Sequence, residues 1–273
     1  MTPAPAGLAT ARVDEGEADL ERRFGGLRRL YGDAGYGRIR AAHIVVVGLG
    51  GVGSWTVEAL ARSGVAALTL VDLDHVAESN VNRQVQALGS TLGMAKTDAL
   101  AARIADIHPG CAIAGVEEFV DEANWPGLLE QRADVVVDAC DDVRAKAVLT
   151  AWARASGTPL VSVGAAGGKR AAERVEVADL ADVTHDPMLA ALRQRVRKHH
   201  AAPRSGALGV CCVFSREPVA LPQGDACDVD GSLNCHGYGS SVAVTATFGM
   251  VAAARALDLV AFPPGGPAAP ACL

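Results

Sequence analysis

Gly48, Gly50 and Gly53 stand in VVVGLGGVGSW (45–55), a G-x-G-x-x-G spacing between an apolar run and a helical pattern. Glycines so placed permit a tight turn and let backbone approach a phosphate. They also aim the first N–H groups of the next helix at it. Gly51 lies inside the same turn. Asp72 follows at the distance expected of a carboxylate that accepts hydrogen bonds from a ribose hydroxyl. Three glycines and an acid serve a nicotinamide enzyme and an adenylating enzyme equally well.

Three later clusters separate the two. VDLDHVAESNVNRQ (71–84) supplies Asn82, Arg83 and Gln84, a guanidinium flanked by two amides. The β and γ phosphates of ATP need such groups, and a nicotinamide site has no general need of them. Asn80 in this stretch reads as a solvated loop residue. LGMAK (92–96) sets Lys96 near a helix start, where a cation opposes the dipole. An anionic ligand resolves that conflict; the alternative is a plain surface lysine. DACDDVRAK (138–146) crowds acids at the end of a buried strand. Asp141 is a candidate to hold Mg2+ against the phosphates, Arg144 to pair with an acid or the α-phosphate, and Asp142 to cap the next helix. All three clusters fall at strand ends beside the glycine turn, and together they favour ATP.

The elements that must position these residues alternate. Apolar runs at 43–47, 66–72, 111–119, 133–140 and 158–164 read as strands, and helical spacing appears over 51–63, 93–107 and 142–156. This order predicts an α/β fold, a Rossmann-like, doubly wound and mostly parallel sheet with right-handed crossovers. Ligands in such sheets lie beyond the carboxyl ends of the strands. After Gly164 the rhythm changes: strands at 174–180 and 209–215, a basic helix at 186–200, a Gly-rich loop, and a terminal helix. This C-terminal part is expected to complete the sheet and the substrate face.

Of the 273 residues half are apolar and only 4% aromatic, so the core must be built from Ala, Val and Leu. The net charge of −6 argues against a nucleic-acid coat protein but permits a local basic patch. Arg193, Arg195, Arg197, Lys198 and Arg204 form one, a phosphate-binding surface or an exposed amphipathic helix. Seven cysteines without a signal-like start indicate a reduced, cytoplasmic setting, and no C-x-x-C supports a zinc site. Cys235, in NCHGYGS, is a candidate nucleophile or an ordinary thiol. Residues 241–262 are apolar but interrupted by Arg255 and Asp258, which suits a buried helix better than a membrane span.

GLGGVGS, VDLDHV, N-x-N-R-Q, LGMAK and D-A-x-D resemble the ubiquitin-activating family in its bacterial, ThiF-type form, whose members adenylate sulfur-carrier proteins. RRFGGLRRLYG (22–32), GAAGG (164–168), DPMLAALRQRVRK, GVCCVFS and TATFGMVAA are similar to the branch of tRNA threonylcarbamoyladenosine dehydratases. The carrier-activating relatives commonly have two C-x-x-C pairs; their absence here agrees with the dehydratase branch. The resemblance implies one adenylation domain over 21–262, with a nucleotide-binding core at 41–165 and a substrate- and tRNA-facing part at 166–262. Residues 1–20 and 263–273 read as flexible tails.

By this resemblance the substrates are ATP, with Mg2+, and tRNA carrying threonylcarbamoyladenosine next to the anticodon. Activation of its carboxylate as an acyl-adenylate precedes ring closure with net loss of water. Arg83, Lys96 and Asp141 are the expected catalytic residues. Gly48, Gly50, Gly51, Gly53, Asp72, Asp74, Asn82, Arg83, Gln84, Lys96 and Asp141 hold the nucleotide, Asp74 assisting the sugar or shaping the turn. Arg193, Arg195, Arg197 and Lys198 meet the tRNA. A homodimer is implied, with Arg23 or Arg29 reaching the partner's ATP; a solvated helix face is the alternative for either arginine. Two other functions stay open. One is an adenylyltransferase acting on the C-terminal glycine of a ubiquitin-like sulfur carrier. The other is a noncatalytic scaffold docking a cysteine desulfurase.

Overall fold

A computed structural model describes residues 18–220 and 238–263. Helices α1 (Leu20–Phe24) and α2 (Arg28–Ala41) lead into β1 (His43–Val47), α3 (Gly53–Arg62), β2 (Ala67–Val71), α4 (Lys96–Ile107) and β3 (Ala112–Val116). Then come β4 (Val135–Asp138), α5 (Val143–Ser156), β5 (Leu160–Val163), β6 (Val175–Asp179), α6 (Pro187–His199), β7 (Cys211–Ser215) and α7 (Val242–Ala261). Most of the Gly-rich loop, Cys235 included, lies outside the described residues, as do most of both expected tails; Asp19, at the edge of the first, caps α1.

The strands form one sheet in the order β3-β2-β1-β4-β5-β7-β6. Every pairing is parallel except β6 against β7, so the C-terminal part does complete the sheet. The order reverses between β1 and β4, which opens a crevice at their carboxyl ends. Register then fixes what meets there. Val47 pairs with Val71 on one side and Asp138 on the other. Gly48, Asp72 and Ala139 therefore emerge abreast, tied by Gly48 N–H to Val71 O and Ala139 N–H to Val47 O, both 2.8 Å.

Central strands are apolar on both faces because helices cover both. Ile44 and Val46 pack with α2, α3, α4 and α7, whereas Val45 and Val47 pack with α5 and α6. The long apolar helix α7 is part of this core. Val244, Phe248, Ala252 and Ala256 are fully enclosed. Gly249 brings α7 against α3, since a Cβ there would lie 2.5 Å from Val52 O. Arg255 and Asp258, which interrupt the run, pair with each other at 3.1 Å.

Helix α6 runs opposite to the parallel strands. Asp186 caps it through Leu189 N–H (2.9 Å) and also accepts from Ala165 N–H (2.8 Å) just beyond β5. Its other end leads to the amino end of β7, where Asp179 gathers the N–H groups of Leu208, Gly209 and Val210.

Candidate active site

The turn after β1 is built by its glycines. Gly48 has φ +86°, and a Cβ there would meet Cys140 N at 2.7 Å. A Cβ on Gly53 would collide with the Gly48 carbonyl oxygen. These two are required by the fold itself. Gly50 is different: a Cβ there meets nothing within 4 Å. The protein's own packing does not explain that glycine, whereas a phosphate approaching the N-terminus of α3 would. This is the fit expected of a nucleotide site.

Asp72 lies beside the turn and serves it first. One carboxylate oxygen accepts from Leu49 N–H at 2.6 Å, the other from Asp74 N–H at 2.9 Å. Each oxygen has a second acceptor position free for a hydroxyl. Lys96 is the first residue of α4, and its helix has no side-chain cap. The anions that resolve its conflict with the dipole are the protein's own: Nζ is 2.7 Å from Asp74 and 3.6 Å from Asp72. The lysine is enclosed rather than a surface residue. The helix starts at Lys96 rather than residue 93, because Gly93 takes φ +82° and Met94 belongs to a turn.

Arg83 lays its stem on the glycine turn, with Cγ and Cδ 3.2 and 3.3 Å from where a Gly51 Cβ would stand. Its backbone carbonyl accepts from Trp55 Nε1 at 2.9 Å, and its guanidinium donates to Ser79 O (2.7 Å) and Asn82 Oδ1 (2.9 Å). Asn82 donates in turn to Ser240 O. Gln84 is buried, accepting from Gln86 Nε2 at 3.1 Å; Gln86 also donates to Leu49 O at 3.0 Å. Gln86 thus ties the Asn82–Gln84 segment to the glycine turn, a role that no spacing in the sequence announced. Asn80 is not a solvated loop residue: it is buried and accepts from Ala77 N–H, so it shapes the loop.

Asp141 is exposed past the end of β4, with no hydrogen bond or ion pair among the described residues. Asp142 caps α5 through Arg144 N–H at 2.6 Å. Beneath them lies a buried network that no motif announces. Lys146, fully enclosed, donates to Asp138 Oδ1 (3.0 Å), Asp138 O (3.3 Å) and Val163 O (2.8 Å). Burial opposes the ammonium, but Asp138 and Cys140 beside it prevail and hold it above the usual lysine range. The Cys140 thiol, 3.0 Å from Asp138, is pushed well up by burial first and by that carboxylate second.

Arg23 does not project away from its own chain. It donates to Asp106 O (3.1 Å) and Ile107 O (2.6 Å) at the end of α4, while Arg29 stays exposed. Arg193, Gln194, Arg197 and Lys198 of α6, with Arg204 from the segment after it, line a groove of about 610 Å³ with no acid in its wall; Arg195 lies outside it. Arg193 is held by Leu180 O and Val183 O, and Arg197 by Pro203 O.

The profile of the ThiF family matches residues 23–266. The chain belongs to the ThiF family. Within it, the chain is 42% identical to tRNA threonylcarbamoyladenosine dehydratase of Escherichia coli over 86% of its own length and 92% of the relative's. It is 38% identical to the enzyme of that name from Haemophilus influenzae, over 91% and 95%. The solved Escherichia coli tRNA N6-threonylcarbamoyladenosine dehydratase in complex with ATP superposes with a TM-score of 0.81 at 41% identity, covering 89% of this chain and 96% of that one. The same enzyme with AMP gives 0.81 at 42%. This ThiF-family chain thus shares nearly its whole length with an enzyme seen with both ATP and AMP.

Proposed function

We propose that the chain is an ATP-dependent tRNA threonylcarbamoyladenosine dehydratase. The reading is carried by the near full-length likeness to an enzyme captured with ATP and with AMP, on a chain whose Gly50 leaves open space at the N-terminus of α3. A carboxylate is a poor acyl donor because its leaving group is oxide. One carboxylate oxygen of the threonylcarbamoyl group attacks the α-phosphorus of ATP, and the bond to the bridging oxygen breaks to release pyrophosphate. An internal nitrogen or oxygen then attacks the activated carbonyl carbon, closes a five-membered ring and expels AMP. The carboxylate oxygen leaves in AMP, so the nucleoside is lighter by one water.

The residues act by position and charge. The glycine turn cradles the phosphates and Asp72 receives the ribose. Arg83 and Lys96 neutralise phosphate charge, Lys96 moving from Asp74 to the ligand; Asn82, Gln84 and Asp74 support them. Asp141 orients the α-phosphate and is the residue that would hold Mg2+. A single exposed carboxylate suits that ion, which takes most of its ligands from phosphate and water. When bound, the ion neutralises charge on the phosphates. The α6 groove takes backbone phosphates of the tRNA, and the reaction is cytoplasmic. A homodimer would cover the exposed apolar side chains Leu88, Leu92 and Met94.

The test is incubation of the purified chain with ATP, Mg2+ and tRNA whose threonylcarbamoyl carboxylate carries oxygen-18. The expected result is loss of one water from the nucleoside and oxygen-18 in AMP. Unlabelled AMP, or activity only with a sulfur-carrier protein, overturns the proposal.

A further inference from the structure

The buried network under Asp141 has a consequence for catalysis. Lys146 and Asp138 are both fully enclosed and 3.0 Å apart, at the crevice where the strand order reverses. A buried ion pair is a poor stabiliser compared with apolar side chains of the same volume, so stability does not explain its presence. Its bonds do more than neutralise charge. The three donors of Lys146 Nζ are all engaged, two on Asp138 at the end of β4 and one on Val163 at the end of β5.

Asp138 spends its remaining capacity on the same corner. Ser162 Oγ donates to Oδ2 at 2.7 Å, while Cys140 N–H (3.3 Å) and Sγ (3.0 Å) lie on Oδ1. The chain beyond β4 is therefore curled around the Asp138 carboxylate. The Ala139–Cys140 peptide so held is the one that leaves no room for a side chain at Gly48. Asp141 is the next residue, and it has no described partner of its own to fix it.

We infer that Lys146 is a positioning residue for adenylation: through Asp138 it locks the 139–142 turn against the glycine turn and so aims Asp141 at the nucleotide. The inference rests on the role proposed for Asp141. Lys146 touches no substrate, and its effect passes through the backbone of residues 138–141.

The test is a mutant cycle on the full chain, read as AMP release with the modified tRNA. Asp138→Asn combined with Lys146→Met removes the charges together, so neither is left buried alone. This pair variant is compared with Asp141→Ala and with all three changes combined. The expected result is a fall in kcat of about 10²-fold for the pair variant, a KM for ATP that changes far less, and a triple variant no slower than Asp141→Ala. Wild-type kcat in the pair variant overturns the inference, as do effects that multiply in the triple variant. A wild-type rate for Asp141→Ala alone overturns the role of Asp141 itself, and the positioning role with it. Should the pair variant not fold, Ser162→Ala and Cys140→Ala loosen the same carboxylate without removing a charge. Lower kcat at an unchanged thermal midpoint then supports the inference, and unchanged kcat in both overturns it.

Discussion

Two glycines three residues apart do different work, and the difference is measurable. Gly53→Ala drives a Cβ into the Gly48 carbonyl and is expected to lose on the order of 3 kcal/mol of stability, read from urea unfolding. Gly50→Ala meets no atom of the protein. Its stability should match wild type while its Kd for ATP rises about tenfold, the equivalent of one charge-assisted hydrogen bond. Isothermal titration separates the two outcomes. His108 supplies a pH-dependent counterpart. It is enclosed against Phe24, ring centroids 4.7 Å apart, with Arg40 Nη1 3.1 Å from its Nε2. Burial first and Arg40 second lower its pKa, so the unfolded chain binds the proton more readily. Its contribution to stability is complete above the ordinary histidine pKa of about 6.5 and declines as pH falls below that value toward the folded pKa. His108→Gln should flatten the decline in urea midpoints between about pH 7 and pH 5.

Among elements, those whose surroundings demand one kind of residue were the legible ones. β1, β4 and β5 are enclosed on both faces, so HIVVV and LVSV state their role outright. Helix α6 shows its cap, Asp186, and its proline at the first helical position. The start of α4 was harder, because an apolar pattern from residue 93 continues through a turn that only Gly93's backbone sets apart. The site divides the same way. The glycine turn, Arg83 and Lys96 are visible as motifs, and their backbone surroundings follow from strand register. Lys146 and Gln86 each join a side chain to a backbone carbonyl distant in sequence, Val163 O for the lysine and Leu49 O for the amide, and a carbonyl that any residue would present leaves no signature there. Asp186 tests the element view. It satisfies two N–H groups, one on its own helix and one at Ala165 beyond β5. Asp186→Ala is expected to lose about 1–3 kcal/mol and to speed hydrogen exchange at Ala165.

Taken whole, the molecule places its basic groove away from its glycine turn. Helix α6 is 13 residues long, about 20 Å. Its capped end sits beyond β5, while Arg197 and Lys198 lie in its last turn. A net charge of −6 makes the groove a local attraction on a repelling body, so tRNA binding should weaken steeply with salt. Arg197→Ala is expected to make the dependence of log Kd on log salt shallower by about one, with AMP release at saturating tRNA unchanged. Filter binding across a salt series checks the first and steady-state kinetics the second.

Helix α7 also sets the order of events during synthesis. It closes the face of the sheet to which β1 and α3 belong, yet it is the last described helix to leave the ribosome. Until residues 242–261 emerge, α3, Val135 and Val137 of β4, and Val161 and Val163 of β5 lack that cover, and the nascent chain carries an open, greasy flank through most of its translation. Such a chain matures after the fact rather than as it lengthens, and chaperones that shield apolar surface should bind it until its final turns arrive.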